Sequence, residues 1–259
     1  MRGKMKNLWH QRKVYLAYLL WLVGLRRILP SGIVNKKRVC ENASPLVDIS
    51  RDDTFSFDAR AMKRGGLWVR AELIPMLHAA ARALPAGYKL HFFGGWRSMT
   101  VQWTAWWENL ENKRRIHADL PEMEIERIAR MTSADPSRGG YGPHQTGGAI
   151  DLTVVDAAVR ELDMGTPFSY HGTECQTFYR RAAPAASENR MILYRAMKSA
   201  GFQNYPGEWW HWSYGDRAWA AYKRRRAAIF GRTGCKDYVI TPDEIKLLAK
   251  HGIKLNDGE

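Results

Sequence analysis

The chain has 259 residues, 45% of them hydrophobic and 12% aromatic, which is enough to bury one sizeable core. It carries 40 Lys plus Arg against 26 Asp plus Glu, a formal +14 that suits contact with nucleic acid, anionic lipid or anionic cell-wall polymer. No nucleic-acid motif accompanies that charge, and the scattered Cys40, Cys175 and Cys235 form neither a zinc-ribbon pattern nor a disulfide framework.

Residues 1–27 stand apart. Lys4, Lys6, Arg12 and Lys13 precede an apolar run, Val14–Leu25, closed by Arg26 and Arg27. The run is too short to span a bilayer core, which takes about 20 residues. The layout matches a signal-peptide n-region and h-region, but no small-x-small cleavage site follows. It equally fits an interfacial helix, with Trp9, Tyr15, Tyr18 and Trp21 at headgroup level, a helix docked on the domain, or a soluble extension. A periplasmic or membrane-associated place in a bacterial cell and a cytoplasmic one both stay open. Pro30–Glu41 reads as a basic linker, so residues 1–44 form an extension ahead of a domain over 45–235.

The spacing predicts short strands at Leu46–Ile49 and Thr54–Phe57. Apolar residues at helical spacing (Val69, Leu73, Met76, Leu77, Ala80, Leu84) predict a helix over Trp68–Leu84, stopped by Pro85 and Gly87. Tyr88–Phe93 predicts a strand running into Gly94-Gly95-Trp96-Arg97. Val101–Arg115 and Glu122–Met131 predict helices, with Trp103, Trp106 and Trp107 assigned to the core. Thr132–Tyr141 is a Gly-rich loop and a candidate lid.

Next comes G-P-H-Q-T-G-G-A-I-D at 142–151, which predicts a loop, a glycine turn and a buried strand through Val155. Leu162–Gly165 follows as a turn. Ser187–Gly201 predicts an amphipathic helix with Ser187 as its N-cap and Gly201 as its stop. Phe202 leads a strand into Y-P-G-E-W-W-H-W-S-Y at 205–214, and Asp216–Ile229 predicts the domain's last helix. Thr241–His251 predicts a short helix in a C-terminal extension over 236–259, with Thr241 as cap, Pro242 at N1 and Gly252 as stop.

Two motifs carry chemistry. Glu208 and His211 lie three positions apart among Trp209, Trp210 and Trp212. A carboxylate and an imidazole at that spacing suit metal-assisted hydrolysis, one binding the ion and the other moving protons. The same stretch also reads as a Trp-rich core strand with one satisfied His. Upstream, His144 and Asp151 flank the Gly147-Gly148 pair. Two His and one Asp supply three ligands for Zn²⁺ and leave a fourth position open.

The ordered blocks G-G-W-R at 94–97, H-x-x-x-x-x-x-D at 144–151, G-x-A-I-D-L-T at 147–153, L-D-M-G-T-P-F at 162–168, N-R at 189–190 and E-W-W-H-W-S-Y-G-D at 208–216 make a specific pattern. The chain resembles the D-alanyl-D-alanine dipeptidases of the vancomycin-resistance type over roughly residues 45–230. That resemblance implies an α+β zinc-peptidase domain, a small central antiparallel sheet flanked by helices, as in D,D-carboxypeptidases and the hedgehog signalling domain. It implies one Zn²⁺ on His144, Asp151 and His211, Glu208 as general base and Arg97 facing the scissile carbonyl. It also implies an Asp near 163 as receptor for the ammonium of a small D-amino-acid dipeptide. Read without the family, Arg97 is a surface guanidinium paired with a carboxylate, and Asp163 caps a turn before Gly165.

One departure bears on substrate. The family commonly carries S-x-H where this chain has Gly142-Pro143-His144. The missing hydroxyl keeps a D,D-carboxypeptidase or another stem-peptide hydrolase in view. A non-catalytic zinc module that holds cell-wall fragments is a third reading, opposed by Glu208, which such a module does not need.

Overall fold

The computed structural model describes residues 15–62, 67–130, 133–138, 141–170, 172–235, 240 and 242–253. Lys4, Lys6, Trp9, Arg12, Lys13, Val14 and Thr241 lie outside the described residues, as does part of the 132–141 loop.

The longest strand, β6 (Ala149–Val155), explains the architecture. Its sequence A-I-D-L-T-V-V is rich in β-branched residues, and all seven are buried. A strand buried on both faces must sit mid-sheet. β6 pairs antiparallel with β5 (Lys89–Gly94) on one side and β8 (His211–Ser213) on the other. β7 (Gln203–Asn204) adds to β8, and β3 (Ser56–Phe57) adds to β5 in parallel. The sheet order is β3-β5-β6-β8-β7, so it is antiparallel except at the β3 edge. The protein is α+β, as expected.

Two helices cover the sheet. α3 (Leu73–Arg82) buries Leu73, Leu77 and Ala80, and α6 (Pro184–Ser199) buries Leu193, Ala196 and Met197. These side chains join Leu90, Phe92, Ile150, Leu152 and Trp212 in one core. A satellite cluster of Trp106, Leu110, Ile125 and Ala129 joins α4 (Met99–Ile116) to α5 (Glu122–Ala129). Trp106 is buried there, whereas Trp103 and Trp107 pack at its margin. Trp107 stacks on His251 at 3.8 Å, beside α8 (Pro242–Lys250).

Several expected elements are corrected. The helix expected over Trp68–Leu84 begins only at Leu73, because Trp68–Arg70 forms β4, antiparallel to β2 (Leu46–Asp48). Val69 is shared by both periodicities, so the apolar pattern ran on across the boundary. α6 starts at Pro184 with Ala183 as N-cap; Ser187 is already inside its first turn. The final helix expected over Asp216–Ile229 is shorter, α7 (Arg217–Tyr222), with Asp216 accepting from Trp219 N at 2.7 Å as its cap. Ala227–Ala228 is β9, parallel to β1 (Arg38–Val39). Thus Pro30–Glu41, read as a linker, carries α1 (Ser31–Val34) and a strand paired to the domain's far end.

Candidate active site and metal centre

Sheet register assembles the site. Asp151 on β6 stands opposite Gly94 on β5 and opposite His211 on β8. Directly paired residues point to the same face, so Asp151 and His211 are side by side while Ile150 and Trp212 go into the core. β5 ends at Gly94, and the next carbonyl, Gly95 O, accepts from His144 Nδ1 at 2.8 Å. A carbonyl can only accept, so Nδ1 carries the hydrogen and Nε2 keeps its lone pair. That Nε2 faces Asp151 Oδ2 at 3.2 Å.

His144 sits on a 3₁₀ turn, Pro143–Thr146, that ends in Gly147 at φ 72°. A side chain at Gly147 would be strained by that φ and would run into Leu46. The buried Arg70 ties the same turn down: Nε donates to Thr146 O at 2.6 Å, Nη2 to Gly231 O at 3.1 Å and Nη1 to Ser44 O.

His144, Asp151 and His211 are all buried, and one donor atom from each lies within 4.8 Å of the others. Asp151 Oδ1 is 2.9 Å from His211 Nδ1. Burial alone would raise the Asp151 carboxyl, but the charges and hydrogen bonds of His144 and His211 outweigh it and hold Asp151 well below the usual carboxylate range. Burial lowers His144. Burial also acts to lower His211, yet the hydrogen bond and charge of Asp151 leave it raised. His211 Nδ1 therefore carries the hydrogen between the two groups and donates it to the ionised Asp151 Oδ1.

Two further groups face this cluster. Arg97 Nη2 lies 3.8 Å from Asp151 Oδ2, and Arg97 N donates to His144 O at 3.2 Å. Burial pushes the Glu208 carboxyl up to about 7, against the lowering charge of His211. Glu208 belongs to the turn between β7 and β8, rather than to the strand expected there.

That turn is held by a residue that sequence reasoning missed. Asn204 Nδ2 donates to both Glu208 O and His211 O, each at 3.1 Å, while its Oδ1 accepts from Thr177 Oγ1 at 2.6 Å. Trp209 and Trp210 are buried beside Glu208, Trp209 Nε1 donates to Thr166 Oγ1 at 2.9 Å, and Phe168 packs edge-on to Trp210. The 162–168 segment is thereby fixed against the Glu208 turn. Asp163 itself is exposed, and its Oδ1 accepts from Gly165 N at 2.7 Å. The N-R block resolves into Arg190, whose guanidinium donates to the carbonyls of Met164, Gln176 and Glu174.

The turn chemistry also locates Gly142. Gly142 N donates to Gln145 Oε1 at 2.7 Å, Gln145 Nε2 to Gln102 Oε1 at 3.2 Å, and Gln102 Nε2 to Ala134 O at 2.9 Å. Buried glutamines therefore link the position of the absent hydroxyl to the start of α4, just beyond Arg97.

The family model for the D-Ala-D-Ala dipeptidases matches residues 66–229. The chain belongs to this peptidase family. A D-alanyl-D-alanine dipeptidase of Synechocystis sp. is 34% identical over 107 residues, 35% of this chain and 43% of that protein. One of Enterococcus faecalis is 28% identical over 149 residues, 55% of this chain and 70% of that protein. The match thus spans less than half of the first relative's length and about two thirds of the second's. Among solved structures, the vancomycin-resistance D,D-pentapeptidase VanY in complex with Zn(II) aligns at 19% identity over 64% of this chain and 82% of that chain, with a TM-score of 0.38.

Proposed function

We propose that this protein is a zinc-dependent peptidase that hydrolyses D-Ala-D-Ala or a closely related small D-amino-acid dipeptide. The observation that carries the reading is the buried His144–Asp151–His211 cluster with the Glu208 carboxyl held near neutrality beside it. Family membership supplies the substrate class.

The donor set fits a zinc ion. It offers two imidazoles and one carboxylate, no thiolate, and a His144 ring already oriented by Gly95 O so that its free nitrogen faces Asp151. His144, Asp151 and His211 would hold the ion. When bound, it would polarise the amide carbonyl and acidify water.

The chain's own residues do the rest. Glu208 takes a proton from the attacking water and passes it to the leaving amine; a carboxyl near neutrality can do both at cellular pH. Arg97 faces the same carboxylate as the metal ligands and bears part of the charge that develops on the carbonyl oxygen. Trp209 and Trp210 keep water from the Glu208 turn, which strengthens these interactions. Asp163 is the receptor for the substrate's free ammonium, on a segment that Trp209 and Trp210 anchor next to the base.

Gly142 favours a second reading, a D,D-carboxypeptidase or other stem-peptide hydrolase. With no hydroxyl there, the grip on a dipeptide's carboxyl end is weaker and a longer peptide can extend. A binding module without activity is disfavoured by the investment in Glu208, a buried carboxylate that no metal site requires.

The test is D-alanine release by zinc-loaded protein from D-Ala-D-Ala and from a pentapeptide ending in D-Ala-D-Ala, each with a chelated control. Chelator-sensitive cleavage of the dipeptide is expected. Cleavage of the pentapeptide alone moves the protein to the carboxypeptidase reading, and zinc binding without cleavage of either moves it to the binding module.

A further inference from the structure

Residues 15–22 are helical, and one face of that helix is apolar and open to solvent. Tyr15, Leu16, Leu19, Leu22 and Val23 fall at helical spacing along a single stripe, and Leu25 extends it. Val23 is 69% exposed and Leu25 is 78% exposed, so none of the described residues covers the ridge.

The opposite face is fastened to the domain. Tyr18 stacks on Trp21 at 5.9 Å, Trp21 meets Tyr222 of α7 edge-on at 6.1 Å, and the Arg224 guanidinium lies 5.2 Å from the Trp21 ring centre. Leu29 N donates to Tyr222 Oη at 3.0 Å just beyond. The helix is therefore docked with Tyr18 and Trp21 inward and with Leu16, Leu19, Leu22 and Val23 outward beside Tyr15. Of the alternatives open to this segment, an interfacial helix would set Tyr18 and Trp21 at headgroup level, whereas the structure turns them toward the protein.

The ridge runs into a strongly basic groove of about 960 Å³. Leu25, Arg26, Arg27 and Ile28 form one wall, and the 173–181 segment with Arg180 and Arg181 forms the other. All four arginines are exposed, and Arg27 is braced 4.1 Å over the Phe178 ring. Among the described residues, no carboxylate is ion-paired with any of them.

We infer that this face docks the protein on an anionic phospholipid bilayer, with the helix lying flat. The aliphatic ridge would enter the acyl boundary and the four guanidiniums would take lipid phosphates. Charge complementarity and position select this occupant. A soluble anionic polymer would use the arginines but gain nothing from an aliphatic ridge beside them. A second copy of the chain would have to set four arginines against its own four if the contact were two-fold. No helix among the described residues is long and apolar enough to cross a membrane, and surface docking does not call for one.

The experiment is co-sedimentation of the full chain with vesicles of phosphatidylcholine alone and of phosphatidylcholine with phosphatidylglycerol. Binding to the anionic vesicles only, weakening with salt, is expected. The variants Leu16→Glu/Leu19→Glu/Val23→Glu and Arg180→Glu/Arg181→Glu should each weaken it about tenfold or more. Both alter exposed side chains away from the catalytic cluster, so D-Ala release without vesicles should stay unchanged. Equal binding to both vesicle types, or to neither, overturns the inference, and the wild-type comparison decides this without any variant. Loss of binding through the arginine variant alone, with soluble polyanion competing fully, would mean an anion site and no membrane face. A wild-type dimer in vesicle-free solution that the ridge variant dissociates would make the occupant a second copy.

Discussion

Asp151 and His211 are direct cross-strand partners on β6 and β8, and this register brings Asp151 Oδ1 to 2.9 Å from His211 Nδ1. A slip of one residue in either strand would turn that strand's side chain to the opposite face and break the cluster. A strand buried along its whole length thus also sets the geometry of the candidate metal site, so stability and the proposed metal binding are tied to the same pairing.

His211→Ala should abolish stoichiometric zinc binding while the fold persists, because the change removes one of three proposed donors from the sheet face opposite the core residues Ile150 and Trp212. Metal content by atomic absorption, beside near-ultraviolet circular dichroism, checks it. Full zinc retention would show that His211 is not a ligand.

Zinc binding should release protons and weaken as pH falls. His211 has its pKa raised by Asp151, so below that pKa a proton must leave Nδ1 before the nitrogen can donate to a cation. Lower pH makes that displacement harder. Calorimetry of zinc binding in buffers of differing ionisation enthalpy measures the release. An enthalpy that does not depend on buffer at mildly acidic pH would contradict the assignment.

The acid limb of kcat/KM should follow Glu208. The base must be ionised, burial pushes its pKa up to about 7, and a dication held beside it would lower it from there. Activity should therefore fall as pH drops through a midpoint at or below about 7. A profile flat to well below the ordinary Glu value of 4.5 would exclude Glu208 as the group that limits turnover.

Asn204→Ala should reduce kcat more than it alters KM, and should destabilise the protein by about 1–3 kcal/mol through the carbonyls left unsatisfied. Denaturant unfolding gives the stability and steady-state kinetics give the split. A change in KM alone would mean that Asn204 does not position the Glu208 turn.

Arg97→Lys should fall short of wild type, and Arg97→Ala should lose about 10²–10³ in kcat if the guanidinium bears oxyanion charge. Retained activity in the Ala variant would return Arg97 to a simple ion pair with Asp151.

The local signals were legible because they depend on neighbours in sequence. Glu208 and His211 share one turn, and the Gly147-Gly148 pair marks the corner between His144 and Asp151. The strand A-I-D-L-T-V-V is buried along its whole length, as its apolar run predicts. Contacts between distant segments left no such trace. Arg70 holds the His144 turn from β4, Asn204 holds Glu208 through Thr177, and β1 pairs with β9 across most of the chain. A buried Asn or Arg has the same one-letter code as an exposed one, and only the fold shows which carbonyls it meets. The helix read over Trp68–Leu84 shows the converse error, where a short strand shared the apolar spacing of the helix after it.

The most direct measurement is zinc content and D-Ala-D-Ala hydrolysis of Glu208→Gln beside the wild type. Gln keeps the shape of the side chain and removes its capacity to take a proton. The account predicts full zinc occupancy with hydrolysis lowered by about 10²–10⁴. Hydrolysis that survives the substitution at the wild-type rate would contradict Glu208 as the base and, with it, the proposed mechanism.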